Sequence, residues 1–345
     1  MGSLNDYLME TAIDVAKDGS LPWESFQGKT IVVTGSTGLV CSQLVRVFLA
    51  RNSTPSLNSK LILPVRNIEK AKAMFNGYSG INFIKWELGF PLDGIDEADY
   101  FIHGASPTAS NVFAKNPATV AWLIASGGEE TLRKSLKLNV QKYLFLSSME
   151  VYGEVSGLAS EDNLGKLNTM SPRSCYPEAK RFVECLCASF NEEHNFPAIS
   201  LRLAQTLGQG FLDGDNRVCV DFARKIKKGE DLVLLTDGSK SNPYLSVNDA
   251  IRAIMYALAF GEGGQAYNAA NEDTFCSIRE MAEQLLSSYE NSNSVLTIEP
   301  DPEKAIKFAK SSILNLDSSK LKALGWKPQN GMSEMFTAIF NSLED

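Results

Sequence analysis

The 345-residue sequence contains only two histidines, His103 and His194. Its six cysteines lack the paired spacing of a metal knuckle. The sequence therefore has few histidines from which to form a catalytic triad or a metal site, and we expect no bound metal. Cys185 and Cys187 fall within a predicted helix, so we expect buried, reduced thiols.

The sequence also lacks an apolar run of membrane-spanning length, and no basic segment followed by an apolar core opens it. A net charge of −8 and a pI near 5.1 argue against nucleic-acid binding. We therefore expect a cytoplasmic protein that binds neither nucleic acid nor membrane. A chain with 44% apolar residues can bury a large core, which predicts one large α/β unit with a smaller lobe.

A buried strand, a glycine-rich turn and a helix are predicted in succession over residues 29–34, 35–38 and 39–50. Glycines let the backbone approach a pyrophosphate, and the free N–H groups at the start of a helix face the anion. This order predicts a dinucleotide site formed by Gly35, Ser36, Thr37, Gly38, Leu39 and Val40.

The second predicted strand, residues 61–65, is followed by Arg66 and not by an acid. An acid at this point commonly binds the adenosine ribose of NAD, whereas an arginine accommodates the 2′-phosphate of NADP. Arg66 favours NADP(H), although a solvated basic surface explains it almost as well, so both NADP(H) and NAD(H) stay open. The loop containing Ala105 and Ser106 follows a later strand and should pass beside the cofactor.

A third informative stretch begins with the apolar run at 142–147, which predicts a buried strand with Ser148 at its carboxyl end. Tyr176 and Lys180 are four residues apart and share one face of a predicted helix. A tyrosine is a poor base near neutral pH unless a nearby cation favours its ionised form, and Lys180 could supply that charge. With Ser148 holding the same substrate oxygen, these residues could move a proton on or off a carbinol during hydride transfer.

Tyr-x-x-x-Lys alone occurs by chance in many helices, so its weight depends on the other motifs. Taken in order, they resemble the extended short-chain dehydrogenase/reductases, the NAD-dependent epimerase/dehydratase family that acts on nucleotide sugars. The resemblance covers about residues 28 to 328 and rests on Thr-Gly-Ser-Thr-Gly at 34–38, Ser-Ser-x-Glu-Val-Tyr-Gly at 147–153, Pro-Arg-x-Cys-Tyr-x-Glu-x-Lys-Arg at 172–181 and Leu-Gly-Trp-Lys-Pro at 324–328. The His-Gly-Ala-Ser-Pro run at 103–107 and the Pro-Arg-x-Cys-Tyr run at 172–176 look most like the UDP-glucuronate decarboxylase branch.

The resemblance implies a Rossmann-type, doubly wound parallel sheet with a smaller C-terminal α/β substrate lobe. The expected divisions are an N-terminal extension at 1–27, a dinucleotide-binding domain at 28–204 and a mainly substrate-binding lobe at 205–345, with 245–270 returning to the sheet. It also implies a homodimer formed through a four-helix bundle of the helices near 117–137 and 177–193. Separately, the glycine pair at 127–128 predicts that the first of these helices breaks or bends there.

By the same resemblance, Tyr176 is the acid/base, Lys180 binds the nicotinamide ribose and lowers the pKa of the tyrosine, and Ser148 binds the reacting hydroxyl. Glu150 matches a catalytic carboxylate of dehydratases and decarboxylases, although a merely polar residue at the mouth of the sheet is an even alternative. The residues implied to bind the substrate are Ser106, Met149, Gln205 and Arg217.

Several positions depart from the family pattern. Cys41 replaces the third glycine of the turn motif, so strand and helix could lie slightly further apart. Met149 replaces a polar residue beside Glu150. Gln205 and Ile124 each replace a common asparagine, and Asn242 replaces an arginine that binds phosphate. The substrate pocket has therefore changed while the cofactor residues have been kept.

Three functions are compatible with this pattern. A net dehydrogenase or reductase acting on a nucleotide-diphosphate-linked sugar or polyol is slightly favoured by Arg66 and Met149. An epimerase, decarboxylase or dehydratase that retains and recycles NAD is favoured by Glu150. A non-catalytic nucleotide-binding protein is disfavoured because Ser148, Tyr176 and Lys180 are all present.

Overall fold

The computed structural model describes residues 3–53, 57–108, 110–155, 157–211, 214–289, 293–301 and 313–343. The strands within them are β1 Thr30–Thr34, β2 Lys60–Val65, β3 Ile81–Lys85, β4 Tyr100–His103, β5 Lys142–Ser148, β6 Gly157–Ala159, β7 Ala198–Leu203, β8 Gln205–Leu207, β9 Leu232–Leu234, β10 Ser241–Ser246, β11 Ala266–Ala269, β12 Asn271–Ser277, β13 Leu296–Ile298 and β14 Leu314–Leu316. The helices are α1 Leu4–Ala16, α2 Leu39–Asn52, α3 Ile68–Met74, α4 Ser110–Lys115, α5 Pro117–Lys137, α6 Cys175–His194, α7 Val218–Lys227, α8 Val247–Phe260, α9 Ile278–Ser287, α10 Ser319–Lys322 and α11 Met332–Ser342.

Seven parallel strands form the central sheet in the order β11-β7-β5-β4-β1-β2-β3. β1 pairs with β2 on one side and with β4 on the other, so the winding direction reverses between β1 and β4. Ligands of such sheets bind beyond the carboxyl ends of the strands at this switch point. The predicted Rossmann-type α/β class is confirmed, and the strands predicted at 29–34, 61–65 and 142–147 correspond to β1, β2 and β5.

Two apolar cores cover the two faces of the sheet. Ile31 and Val33 of β1 belong to one core, and Val32 belongs to the other. This alternation follows from the two-residue period of a strand. All five residues of β1 are buried, as expected for a parallel strand covered by helices on both faces.

The predicted break in the helix at 117–137 is wrong, because α5 runs unbroken from Pro117 to Lys137. The two glycines instead allow close packing. A Cβ on Gly127 would lie 2.1 Å from Leu88 Cδ1, and one on Gly128 would lie 2.5 Å from Val183 Cγ2 on α6.

A third core lies in the C-terminal part of the chain, where β12, β10 and β8 form a three-stranded sheet. The helix predicted from residue 245 begins at Val247, because the preceding residues belong to β10. β11, from the segment predicted to return, pairs in parallel with β7 at one edge of the central sheet.

The N-terminal segment is packed onto α2 and α8. The buried side chains of α1 include Leu8 and Val15, and Gln43 on α2 donates a hydrogen bond to the Leu8 carbonyl at 2.8 Å. Asp18 forms a salt bridge with Arg252 on α8, with Oδ2 3.0 Å from Nε. No helix in the described part of the chain has the length and apolar character needed to cross a membrane.

Candidate active site

The observed conformation of the turn after β1 depends on glycine at residue 35. Gly35 has a φ of +73°, and a Cβ there would lie 2.6 Å from the carbonyl carbon of Gly104. Gly38 is the N-cap of α2, so the free N–H groups of that helix begin at the turn. Ser36 Oγ is buried and has no hydrogen-bond partner within the described residues. The turn therefore offers helix N–H groups and an unsatisfied hydroxyl to an anion.

The first turn of α2 continues this surface. Thr37, Leu39 and Val40 are each partly exposed, and their cofactor contacts stay predictions. Cys41 is buried, and a Cβ at Gly104 would lie 2.4 Å from its Sγ, so the thiol occupies space left by that glycine. Burial raises the pKa of Cys41 to about 12, which keeps the thiol protonated. The wider strand–helix separation expected from Cys41 stays a prediction.

The loop after β4 lies against the same turn. The Ala105 N–H donates to Thr34 Oγ1 at 3.3 Å, and Thr34 Oγ1 is 2.9 Å from His103 Nδ1. Burial, with a smaller effect from Lys180, lowers the pKa of His103 to about 3, so this histidine is neutral. Ala105 and Ser106 are partly exposed, while Arg66 is exposed directly after β2.

The predicted catalytic residues meet at the carboxyl end of β5. Ser148 is the last residue of that strand, and its Oγ accepts a hydrogen bond from the Glu150 N–H at 3.2 Å. The ring of Tyr176 on α6 is stacked on Phe113, with centroids 4.7 Å apart. Lys180 Nζ donates to the Leu146 carbonyl at 2.8 Å and lies 5.7 Å from the centroid of the Tyr176 ring.

Burial shifts the pKa values of these two groups in opposite directions. It raises the pKa of Tyr176, and the Glu150 carboxylate raises it further, while a hydrogen bond with Ser148 and the charge of Arg173 lower it. Burial lowers the pKa of Lys180 to about 7, against an opposing effect of Glu184. The Tyr176 and Lys180 side chains are therefore largely removed from solvent, and the charge of each is sensitive to its few neighbours.

Glu150 is paired with Arg173, a residue that the sequence analysis did not assign to the site. Arg173 Nη2 lies 2.7 Å from Glu150 Oε2, and the guanidinium lies 5.3 Å from the centroid of the Phe113 ring. The Pro-Arg-x-Cys-Tyr motif contains Arg173, so the sequence offered a means of assigning this arginine to the site. Met149, expected to bind substrate, is buried in an apolar core.

The remaining predicted substrate residues lie in the C-terminal part of the chain. Arg217 is paired with Asp215, with Nη2 2.7 Å from Oδ2, and donates to the Thr206 carbonyl at 2.9 Å. Gln205 is partly exposed on β8 and pairs with Tyr244 of β10. Their substrate contacts stay predictions.

Of the thiols expected to be buried, Cys185 is exposed, because it lies on the outer face of α6.

A model of the NAD-dependent epimerase/dehydratase family matches residues 31–270, which is more than half of the 345-residue chain. The chain belongs to the NAD-dependent epimerase/dehydratase family. It is therefore an enzyme of the extended short-chain dehydrogenase/reductase type, and its cofactor is NAD(H) or NADP(H).

Relatives of this epimerase/dehydratase-family enzyme include nucleotide-sugar enzymes. UDP-glucuronic acid decarboxylase 2 of Arabidopsis thaliana is 26% identical over 311 residues, covering 88% of this chain and 65% of the relative. The chain thus spans just under two thirds of that relative. The low-salt glycan biosynthesis protein Agl12 of Haloferax volcanii is 23% identical over 308 residues, covering 87% of this chain and 93% of the relative.

Solved structures share the epimerase/dehydratase fold. Epimerase Mth375 of Methanothermobacter thermautotrophicus gives a TM-score of 0.76 at 20% identity, covering 96% of this chain and 95% of that one. UDP-glucuronic acid 4-epimerase of Bacillus cereus, in complex with UDP-glucuronic acid and NAD, gives 0.73 at 20% identity, with coverages of 91% and 98%. RMD of Pseudomonas aeruginosa, complexed with NADPH, gives 0.69 at 24% identity, with the same coverages.

The residues of this family member fit a dinucleotide. The orphaned Ser36 hydroxyl lies in the turn where a pyrophosphate would meet the N-terminus of α2, and Gly35 lets the loop at Gly104 pack against that turn. Within the described part of the chain, no group of three or more histidine, cysteine, aspartate or glutamate side chains is placed to hold a metal ion.

Proposed function

We propose that this enzyme oxidises a carbinol of a nucleoside-diphosphate-linked sugar to a ketone and then returns the hydride to the same molecule, as an epimerase or decarboxylase. The observation that carries the proposal is the meeting of Ser148, Tyr176 and Lys180 at the carboxyl end of β5, beside the switch point. Bound NAD would supply the hydride acceptor, and later the donor, next to these residues.

The proposed role of Tyr176 is to take the carbinol proton as the C–H hydride leaves, and to give it back when the ketone is reduced. Because burial raises the pKa of Tyr176, the phenolate needs a positive charge nearby to form. Lys180, with Nζ 5.7 Å from the centroid of the Tyr176 ring, would supply that charge, and Ser148 would hold the substrate oxygen.

In this proposal Glu150 does not act as a free base. Its carboxylate is paired with Arg173 at 2.7 Å, so the pair is better suited to orienting a polar sugar substituent. The adjacent Met149 is apolar and buried. Dehydration needs an additional acid or base, whereas a β-keto acid loses carbon dioxide without one. The arrangement therefore favours epimerisation or decarboxylation over dehydration.

A net dehydrogenase or reductase is the second candidate, and Arg66 is the observation that favours it. This side chain is exposed directly after β2, where an NAD site commonly has an acid. If Arg66 binds a 2′-phosphate, the enzyme would use NADP(H) and exchange it at every turnover. The substrate would then be a nucleotide-linked ketose, sugar or polyol.

One experiment separates these reactions. The purified protein is incubated with a panel of UDP-, CDP- and dTDP-sugars that includes UDP-glucuronate, while NMR follows the sugar and absorbance follows the nicotinamide. Sugar conversion without net nicotinamide change supports the first candidate. Conversion with matching nicotinamide reduction or oxidation supports the second. Near-full turnover by Tyr176→Phe would contradict both, since each requires the phenol to move the proton.

We also infer a homodimer formed through the outer faces of α5 and α6. Trp122 and Phe182 on these faces are 53% and 49% exposed. A neighbouring groove of about 560 Å³ is lined mainly by small and apolar residues, among them Pro117, Ala118, Ala121, Ala125 and Ala179. Two helices with apolar outer stripes match a second copy of the same pair, which would bury both aromatic rings.

A further inference from the structure

A buried ion pair joins α6, the helix that contains Tyr176 and Lys180, to β7. Arg202 on β7 and Glu184 on α6 have side chains only 5% and 10% exposed. Arg202 Nε donates to Glu184 Oε1 at 3.0 Å, and Nη2 donates to Oε2 at 2.7 Å. The contact is bidentate, the geometry that holds a carboxylate in one orientation.

The same arginine connects the other elements of the site. Arg202 Nη1 donates to the Tyr152 hydroxyl at 3.0 Å, and that hydroxyl donates to Asn268 Oδ1 on β11 at 2.7 Å. Tyr152 ends the short 3₁₀ turn Met149–Tyr152, which carries Glu150. Arg202 also lies opposite Ser147, the neighbour of Ser148, in the β5–β7 register.

Glu184 follows Lys180 by four residues on α6, so the two side chains lie on one face of the helix. The Lys180 ammonium also donates to the Leu146 carbonyl and lies near the rings of Phe145 and Tyr176.

Two further titratable groups face Lys180 from neighbouring elements, Cys41 on α2 and His103 on β4. Both are neutral near pH 7, because burial raises the pKa of Cys41 to about 12 and lowers that of His103 to about 3. Glu184 is therefore the carboxylate that acts on Lys180 among the described residues.

We propose that Glu184, held by Arg202, is a positioning residue that keeps Lys180 charged and aimed at the Leu146 carbonyl and the nicotinamide ribose. This inference rests on the function proposed above. Arg202 partly neutralises Glu184, so Lys180 experiences a damped negative charge. The lysine can then be cationic near neutral pH without a direct salt bridge that would draw it away from the site.

The test is the pH dependence of NADH binding, measured by fluorescence titration of the intact protein after any dinucleotide retained through purification has been exchanged out. In the wild type, binding should weaken as Lys180 loses its proton, which defines a midpoint pH. Glu184→Gln should lower that midpoint by about one pH unit, which weakens NADH binding about tenfold on the alkaline side. Glu184→Asp, which keeps the charge, should have a midpoint pH close to that of the wild type.

Tyr152→Phe is the matched control, because it removes one partner of Arg202 and leaves the charge of Glu184 in place. It should lower the melting temperature without moving the midpoint. If Glu184→Gln lowers the melting temperature but leaves the midpoint at the wild-type value, the inference is overturned and the pair is only structural. Lys180→Met should abolish the midpoint. A wild-type profile identical to that of Lys180→Met would contradict the proposed role of Lys180, and with it this inference.

Discussion

Lys180 has its ammonium group in a buried site, which makes the stability of the folded protein depend on pH. Its pKa is lowered from 10.5 to about 7 by burial, so below pH 7 the folded protein must keep a desolvated charge. The unfolded chain binds the proton more tightly. The folded state therefore loses stability as the pH falls from about 10.5 to about 7, and the full penalty applies below pH 7.

Lys180→Met should remove this penalty. We expect the variant to be more stable than the wild type at pH 6 by up to about 4 kcal/mol, with the difference shrinking towards pH 10. Urea unfolding at several pH values measures it. A constant difference across this range would show that Lys180 has an ordinary pKa in the folded protein. The same variant should lose turnover, because the phenolate of Tyr176 loses its cation.

The site residues that could be predicted from the sequence are those whose positions are fixed locally. Tyr176, Lys180 and Ser148 could be found because one helical turn and one strand end fix their positions locally. The pairing of Glu150 with Arg173 joins residues from two segments, so no local pattern contains it. The pairing of Arg202 with Glu184 likewise depends on how α6 packs against β7.

At the scale of elements, α5 shows how tertiary packing overrides local propensity. Two adjacent glycines weaken a helix in isolation, which led to the wrong prediction of a break. In the folded chain they let Leu88 and Val183 approach the helix backbone, and this packing compensates for the poor propensity. β1 and α2 were predictable because the turn between them imposes its own sequence, whereas β10 and α7 have no comparable signal.

Gly128→Ala tests this account of α5. The new Cβ would lie 2.5 Å from Val183 Cγ2, so α5 and α6 would have to move apart. We expect destabilisation of about 1–3 kcal/mol despite the better helix propensity of alanine. Gly19→Ala is the matched control, since its Cβ would meet nothing within 4 Å. Equal unfolding free energies for the two variants, measured with urea, would refute the packing explanation.

At the scale of the whole molecule, the outer faces of α5 and α6 predict the oligomeric state. Phe182→Glu places a charge in the middle of the proposed dimer interface and should give a monomer that keeps its fold. Sedimentation velocity compares it with the wild type. Phe260→Glu, which changes another half-exposed phenylalanine on α8, should leave the dimer intact. A monomeric wild type would rule out the dimer.

The central claim is that this chain binds a nicotinamide dinucleotide and retains it through the reaction. The most direct test is to heat-denature the purified protein and identify the released dinucleotide by mass spectrometry, with Gly35→Ala measured in parallel. We predict close to one NAD(H) per wild-type chain and an empty, folded Gly35→Ala protein, because the added Cβ would clash with Gly104. A wild-type protein that releases no dinucleotide would contradict retention of the cofactor, and one that also binds neither NADH nor NADPH when they are added would contradict the whole claim.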